Sequence, residues 1–175
     1  MNIIKCEKQH LDMVSDFYAD VVEYLSLHIN YPKWTSEYPC RESVKCAIGK
    51  NEQYACIDDG AVVGAFILND NPQGSYELGE WGQDLKNGEY LVIHTLAAAP
   101  DKSRRGIGGF MVDFCINKAK NDGFKAIRLD VVPDNIPAIQ LYNRKGFTFA
   151  GEKDLQRGID DIPVFGLYEL NFKKS

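Results

Sequence analysis

"APDKSRRGIGGFMVDFCINKA", residues 99–119, sets a basic, glycine-containing turn directly ahead of a run with helical spacing. Gly106 and Gly108 carry no side chain, so a bound group can come close to the backbone there, and the N–H groups that open the following helix have no intrahelical acceptors. The helix dipole favours an anion at that end, and Lys102, Arg104 and Arg105 add positive charge. The turn reads as a candidate phosphate cradle; the competing reading is a solvated basic loop whose glycines only permit a tight bend. Two other phosphate motifs fail on the same letters. A GxGxxG fingerprint from Gly106 needs Gly or Ala where Met111 stands, and a P-loop needs Gly-Lys-Ser/Thr where Gly108 and Gly109 lead into Phe110.

Working outward, "EYLVIHTLAAAP" (89–100) predicts a strand closed by Pro100, and the helix after the turn runs from about Ile107 to Asn121 with a stop at Gly123. "KAIRLDVV" (125–132) predicts the next strand. "NIPAIQLYNRKG" (135–146) predicts a short helix, and "FTFAGEKD" (147–154) and "VFGLYEL" (164–170) two closing strands. On the other side, "NIIKCE" (2–7) reads as a first strand, and Leu11, Val14, Phe17, Val21 and Leu25 recur at helical spacing. A second helix is expected after Pro39, ending at Gly49. "QYACIDDGAVVGAFILND" (53–70) predicts a hairpin turned at Asp-Asp-Gly. The polar stretch 71–89 predicts a loop long enough to suggest a use. Strands mixed with helices in this order predict an α/β sheet with antiparallel and parallel pairs.

A chain of 175 residues with 45% hydrophobic content can bury one proper core, so a single domain over 1–175 is expected. Its formal net charge of -5 argues against an extended nucleic-acid footprint. Five cysteines without CxxC spacing, and a start lacking the apolar core of a signal peptide, predict a reducing cytoplasmic setting. No apolar run reaches the roughly 18 residues of a membrane span. The three histidines lie far apart, and no zinc-ligand spacing is present. No metal is expected.

The letters "SRRGIG", Ser103 to Gly108, resemble the acyl-CoA loop of the GNAT superfamily of N-acetyltransferases, with Ser103 where that family usually has Gln or Arg. "NIPAIQLYNRKGF" (135–147) resembles its second signature. Both stand in the family's order. The resemblance implies a GNAT fold, a central mixed and mostly antiparallel β-sheet flanked by helices, and acetyl-CoA as cosubstrate. It also implies cofactor contacts from the backbone of Leu96, Ala97 and Ala98, from the cradle Arg104, Arg105, Gly106, Ile107, Gly108 and Gly109, and from Asn135. The implied activity is acetyl transfer to a primary amine of a small molecule or peptide; the alternative is a non-catalytic acyl-CoA sensor. A homodimer is left open.

Such a reaction needs a neutral amine, donors for the developing oxyanion and a proton for the departing thiolate. By resemblance Tyr142 gives that proton; the competing reading is a tyrosine packing its ring in the core. Asn135 is equally a plain helix cap. His94, on the central strand two residues before Leu96 and so on the same nominal face, is the candidate base, against a half-buried structural histidine. Glu89 and Glu80 are next. Trp34, Tyr38, Tyr76 and Trp81, set among carboxylates, suit a cationic acceptor, although loop packing of aromatics explains them too.

Overall fold

The computed structural model describes residues 1–102, 105–159 and 161–172. Strand β1 (Asn2–Lys5) leads through a 3-10 turn into helix α1 (Leu11–Ser26), followed by α2 (Arg41–Gly49) and the hairpin β2 (Gln53–Asp58) and β3 (Ala61–Asn69). Then come β4 (Tyr90–Ala98), α3 (Ile107–Asn121), β5 (Ala126–Val131), α4 (Ile136–Arg144), β6 (Thr148–Lys153) and β7 (Phe165–Asn171). The strands order as β1-β2-β3-β4-β5-β7-β6 in one sheet. β4 and β5 run parallel, with Tyr90 opposite Ala126 and Ile93 opposite Leu129. The β1–β2, β2–β3, β5–β7 and β6–β7 pairs are antiparallel. This is the mixed, helix-flanked sheet that the element order predicts.

The described residues fall into two compact units. The first comprises Met1–Asn30, Trp34–Leu68 and His94–Phe114. Its core forms because α1 presents Val14, Phe17, Tyr18 and Val21 at spacings of three and four, which bury against Val44 and Ile48 of α2 and the small residues Ala55 and Ala65 of the hairpin. Each large apolar side chain so buried contributes about 1.5–3 kcal/mol. Leu11 and Leu25 close the ends of the stripe, half-buried. On the α3 side, Gly64 of β3 allows a close approach: a Cβ there would come within 2.7 Å of the Met111 sulfur and 3.1 Å of the Ala97 carbonyl. Helix α3 thus seats directly over the hairpin and the end of β4.

The second unit comprises Tyr31–Lys33, Asn69–Ile93 and the described residues from Cys115 onward. Here Tyr90 and Val92 of β4, Ala126 of β5, and Phe165 and Leu167 of β7 pack with Tyr76 and Leu155. The long loop before β4 is therefore not structureless. It contributes a 3-10 turn, Tyr76–Leu78, whose tyrosine is part of this core. Helix α4 begins as its sequence directs: the Asn135 side chain accepts the Ala138 N–H at 3.3 Å, and Pro137 occupies the first turn, where no N–H is missed.

Candidate active site

In the first unit, β4 delivers its last five residues, His94 to Ala98, into the basic turn. The Ala99 N–H donates to the Val63 carbonyl at 2.9 Å, extending the β4 path past the strand's end. Gly106 has φ +75°, a backbone that a side chain would strain, while a Cβ there would meet nothing within 4 Å. The first bond of α3 is Phe110 N–H to the Gly106 carbonyl at 2.9 Å. Among the described residues the amides of Ile107, Gly108 and Gly109 therefore open the helix without intrahelical acceptors, beside open space over Gly106, and this matches the needs of a phosphate. Ile107 anchors the turn by burying its side chain, while Gly108 and Gly109 stay half-buried. Arg105 is exposed and pairs with Asp58 at 3.4 Å. Ser103 and Arg104 lie outside the described residues.

The alternation that would put His94 and Leu96 on one face is interrupted between them. Thr95 has φ +51°, a left-handed conformation that costs a β-branched residue about 1–3 kcal/mol. Two phenols hold it there. The Tyr18 hydroxyl donates to the Thr95 carbonyl at 2.8 Å, and the Tyr38 hydroxyl is hydrogen-bonded to Thr95 Oγ1. Burial pushes the Tyr18 phenol well above its ordinary value, so it remains a donor. Neither Thr95 nor Tyr18 was legible as a site residue, because period-two reading carries no signal for a left-handed residue within a strand and a tyrosine at a core helix position looks like packing. His94 itself is buried, at 7% exposed. The other histidines serve helix ends. His10 Nδ1 accepts the Glu7 N–H at 2.9 Å, and His28 stacks on Tyr24 with ring centroids 3.9 Å apart.

Also within this unit, α1 and the segment that follows it enclose an open cleft of about 720 Å³. Asp16, Ala19 and Glu23 line its helix side, and Asn30, Trp34 and Arg41 line the other. The Asn30 amide braces this second wall by donating to the Trp34 carbonyl at 2.6 Å and accepting the Trp34 N–H at 3.0 Å. Trp34 meets Tyr18 edge-on at 6.2 Å. Arg41 pairs with Asp12 at 2.6 Å, which offsets its charge and leaves the cleft acidic through Asp16 and Glu23. Sequence reading singled out Trp34 but not these two carboxylates, whose i, i+7 spacing on α1 resembles any solvated helix face.

The second unit carries the other candidates. Tyr142 sits on α4, 6% exposed, its ring 5.6 Å from that of Phe147, and burial raises its phenol far above the ordinary value. It stays protonated at any physiological pH. Asn135 caps α4, as already described. Tyr76, 2% exposed, donates its hydroxyl to Asp130 at 2.7 Å and stacks on Trp81. The Arg128 guanidinium lies 4.1 Å from the Trp81 ring centre and 4.2 Å from that of Tyr90, a desolvated cation held between aromatic faces. These rings, with Arg128, line a cavity of about 410 Å³. Glu80 pairs with Lys153 at 2.7 Å and Glu89 with Lys125; hydrogen bonds from those lysines hold both carboxyls below their ordinary value. Both glutamates are thereby weakened as bases. Among the described residues no His, Cys, Asp and Glu side chains group as metal ligands, and no helix is long and apolar enough to cross a membrane.

Comparison with known proteins bears on the family and the fold. Residues 16–147 match the model of the acetyltransferase (GNAT) family. The chain is 32% identical over 95 residues to streptothricin acetyltransferase of Escherichia coli, covering 54% of this chain and 51% of that protein. Its matches span between 23% and 63% of the length of the curated relatives. Among solved structures, a GNAT-family acetyltransferase of Streptococcus agalactiae superposes with a TM-score of 0.76 at 17% identity, covering 99% of this chain and 96% of that one. An acetyltransferase of Salmonella typhimurium, solved with its cofactor acetyl-CoA, superposes with a TM-score of 0.69 at 14% identity, covering 100% and 95%. At such identities the superpositions establish the shared fold.

Proposed function

We propose, because the chain belongs to the GNAT family of acetyltransferases, that it is an acetyl-CoA-dependent N-acetyltransferase, acting as a single domain on a primary amine of a small molecule or peptide. The observation that carries this reading is the start of α3, where the amides of Ile107, Gly108 and Gly109 have no intrahelical acceptors among the described residues and lie next to open space at Gly106. Those donors, with Arg104 and Arg105, suit the pyrophosphate of coenzyme A. Acetyl-CoA supplies the activated thioester carbonyl. Backbone N–H groups within Leu96–Ala98 supply donors for the negative charge that develops on the carbonyl oxygen. Asn135 binds the pantetheine arm by family resemblance while its side-chain oxygen caps α4.

An alkylammonium of pKa near 10 is only about 0.1% neutral at pH 7, so its proton must be removed before or during attack. His94 is the base in this proposal, directly or through water. The amine nitrogen then bonds to the acetyl carbon, the carbon–sulfur bond breaks, and Tyr142 gives its hydroxyl proton to the thiolate, to be reprotonated from solvent. The products are an amide and free coenzyme A. The acceptor best matched by the first unit is a cation with an apolar or aromatic part. Asp16 and Glu23 attract its charge, and Trp34 offers a ring face. The packing of Tyr76 and Trp81 with Arg128 supports a structural role for that pair.

The test is calorimetric titration with acetyl-CoA and with coenzyme A. Binding of both, abolished by inorganic pyrophosphate in excess or by blocking the α3 start, is the expected result. Absence of binding to either overturns the proposal.

A further inference from the structure

Thr95 is an unusual residue for its backbone. A left-handed position inside a strand is normally filled by glycine or asparagine, and a β-branched residue there is an outlier that the surroundings must enforce. The enforcement comes from two separate elements. Tyr18, 1% exposed on α1, grips the carbonyl oxygen, and Tyr38, 41% exposed on the segment between α1 and α2, grips the side-chain hydroxyl. The segment that presents Tyr38 is itself stiffened. Thr35 and Tyr38 exchange two backbone hydrogen bonds of 3.0 Å, and Asn30 clasps Trp34 from both sides. This segment is also a wall of the acidic cleft, through Trp34, Thr35 and Pro39. The residue being gripped lies between His94 and the Leu96–Ala98 backbone, where a small rotation would move the backbone donors assigned to the thioester carbonyl relative to His94.

We propose that Tyr38 is a positioning residue that acts through the Thr95 hydroxyl, fixing the left-handed turn of β4 and coupling the wall of the acceptor cleft to the strand that holds the thioester. The proposal rests on the acetyltransferase reading above and goes beyond it, because it assigns Tyr38 to the enzyme's own backbone and not to contact with the acceptor. One hydroxyl serves as donor and the other as acceptor, so removing either breaks the same bond. Thr95→Ser keeps that bond; Thr95→Gly removes it while tolerating the backbone angle.

The test is a double-mutant cycle of Tyr38→Phe with Thr95→Gly, with Thr95→Ser as the rescue variant. Each of the first two is expected to lower kcat up to about tenfold, the net weight of one hydrogen bond, with the acceptor KM nearly unchanged. The double variant should be no slower than the worse single variant, and Thr95→Ser should stay near wild type. A multiplicative double variant, or a Tyr38→Phe effect confined to the acceptor KM, overturns the proposal in favour of direct substrate contact. Amide hydrogen exchange reads the same grip without activity. Thr95 to Ala98 should lose protection about tenfold in Tyr38→Phe and in Thr95→Gly but not in Thr95→Ser, with β2 amides unchanged. Unaltered exchange in Tyr38→Phe, or Thr95→Ser behaving like Thr95→Gly, overturns it. If the wild-type protein transfers no acetyl group, the acetyltransferase reading falls while the exchange data still decide the grip.

Discussion

Arg157 closes a two-point fork on Asp130, Nη1 to Oδ1 and Nη2 to Oδ2, both at 2.8 Å, and the Tyr76 hydroxyl donates to the same carboxylate at 2.7 Å. Both charged side chains are largely buried, 16% exposed for Arg157 and 10% for Asp130. Removing one partner leaves a desolvated charge, which costs about 3–5 kcal/mol, whereas an exposed pair such as Lys45–Glu42 is worth at most about 1 kcal/mol. Asp130→Ala should therefore lower Tm by many degrees and Lys45→Ala hardly at all, as scanning calorimetry would show. Tyr76→Phe should lower Tm modestly and leave acceptor KM unchanged; a selective rise in KM would make Tyr76 a substrate contact.

At the turn, Gly106→Asp places a carboxylate where pyrophosphate is proposed to bind, but the +75° angle there strains any side chain. Gly106→Ala separates the two effects. Isothermal titration should show the Asp variant binding coenzyme A far more weakly than the Ala variant, because only it adds a like charge. Equal losses in the two variants would reduce the glycine's role to backbone shape.

Tyr142→Phe keeps the ring against Phe147 and removes the proton donor. Turnover is expected to fall about 10- to 1000-fold, with coenzyme A affinity nearly intact. Burial raises the phenol above its ordinary value, so the protonated form persists throughout the neutral range, and the wild-type rate should show no decline from this group below about pH 10. A decline near neutrality that disappears in Tyr142→Phe would contradict this assignment of its ionisation.

His94→Gln retains hydrogen bonding and cannot take a proton. If His94 is the base, kcat/KM should drop about 10²- to 10⁴-fold and its acid limb should vanish. Glu80→Gln and Glu89→Gln should leave that limb in place, since lysine partners already hold both carboxylates low. Full turnover in His94→Gln would assign the histidine a structural role.

The cysteines should differ sharply toward maleimide. Cys46 is exposed and Cys40 half-buried, whereas Cys6, Cys56 and Cys115 are buried, and burial pushes the Cys6 thiol up to about 12. Mass spectrometry of the native protein should find Cys46 labelled first and the three buried thiols untouched.

What the sequence made legible were features with short-range causes. The 3.6-residue stripe of α1, the Asp-Gly turn between β2 and β3, the glycine entry to α3 and the Asn135 cap all follow from neighbours within a few residues. What it hid depended on partners far along the chain. Tyr18 and Thr95 are 77 residues apart, and Tyr76 and Asp130 are 54. Nothing local marks either tyrosine as a hydrogen-bond donor to a specific acceptor. The left-handed backbone at Thr95 was hidden for a second reason: a β-branched residue in an apolar run predicts regular strand. The acidic cleft was hidden for a third, because Asp16 and Glu23 acquire meaning only when the segment carrying Trp34 folds back beside α1.

The most direct test of the account is release of free thiol from acetyl-CoA, followed with a thiol reagent, across polyamines, aminoglycosides, arylalkylamines, amino acids and peptides. The account predicts acceptor-dependent release with a cationic amine that has an apolar or aromatic part, and loss of that release in Tyr142→Phe. Tight binding of acetyl-CoA with no acceptor-dependent thiol release from any amine class would contradict it, and would identify the chain as an acyl-CoA-binding module without turnover.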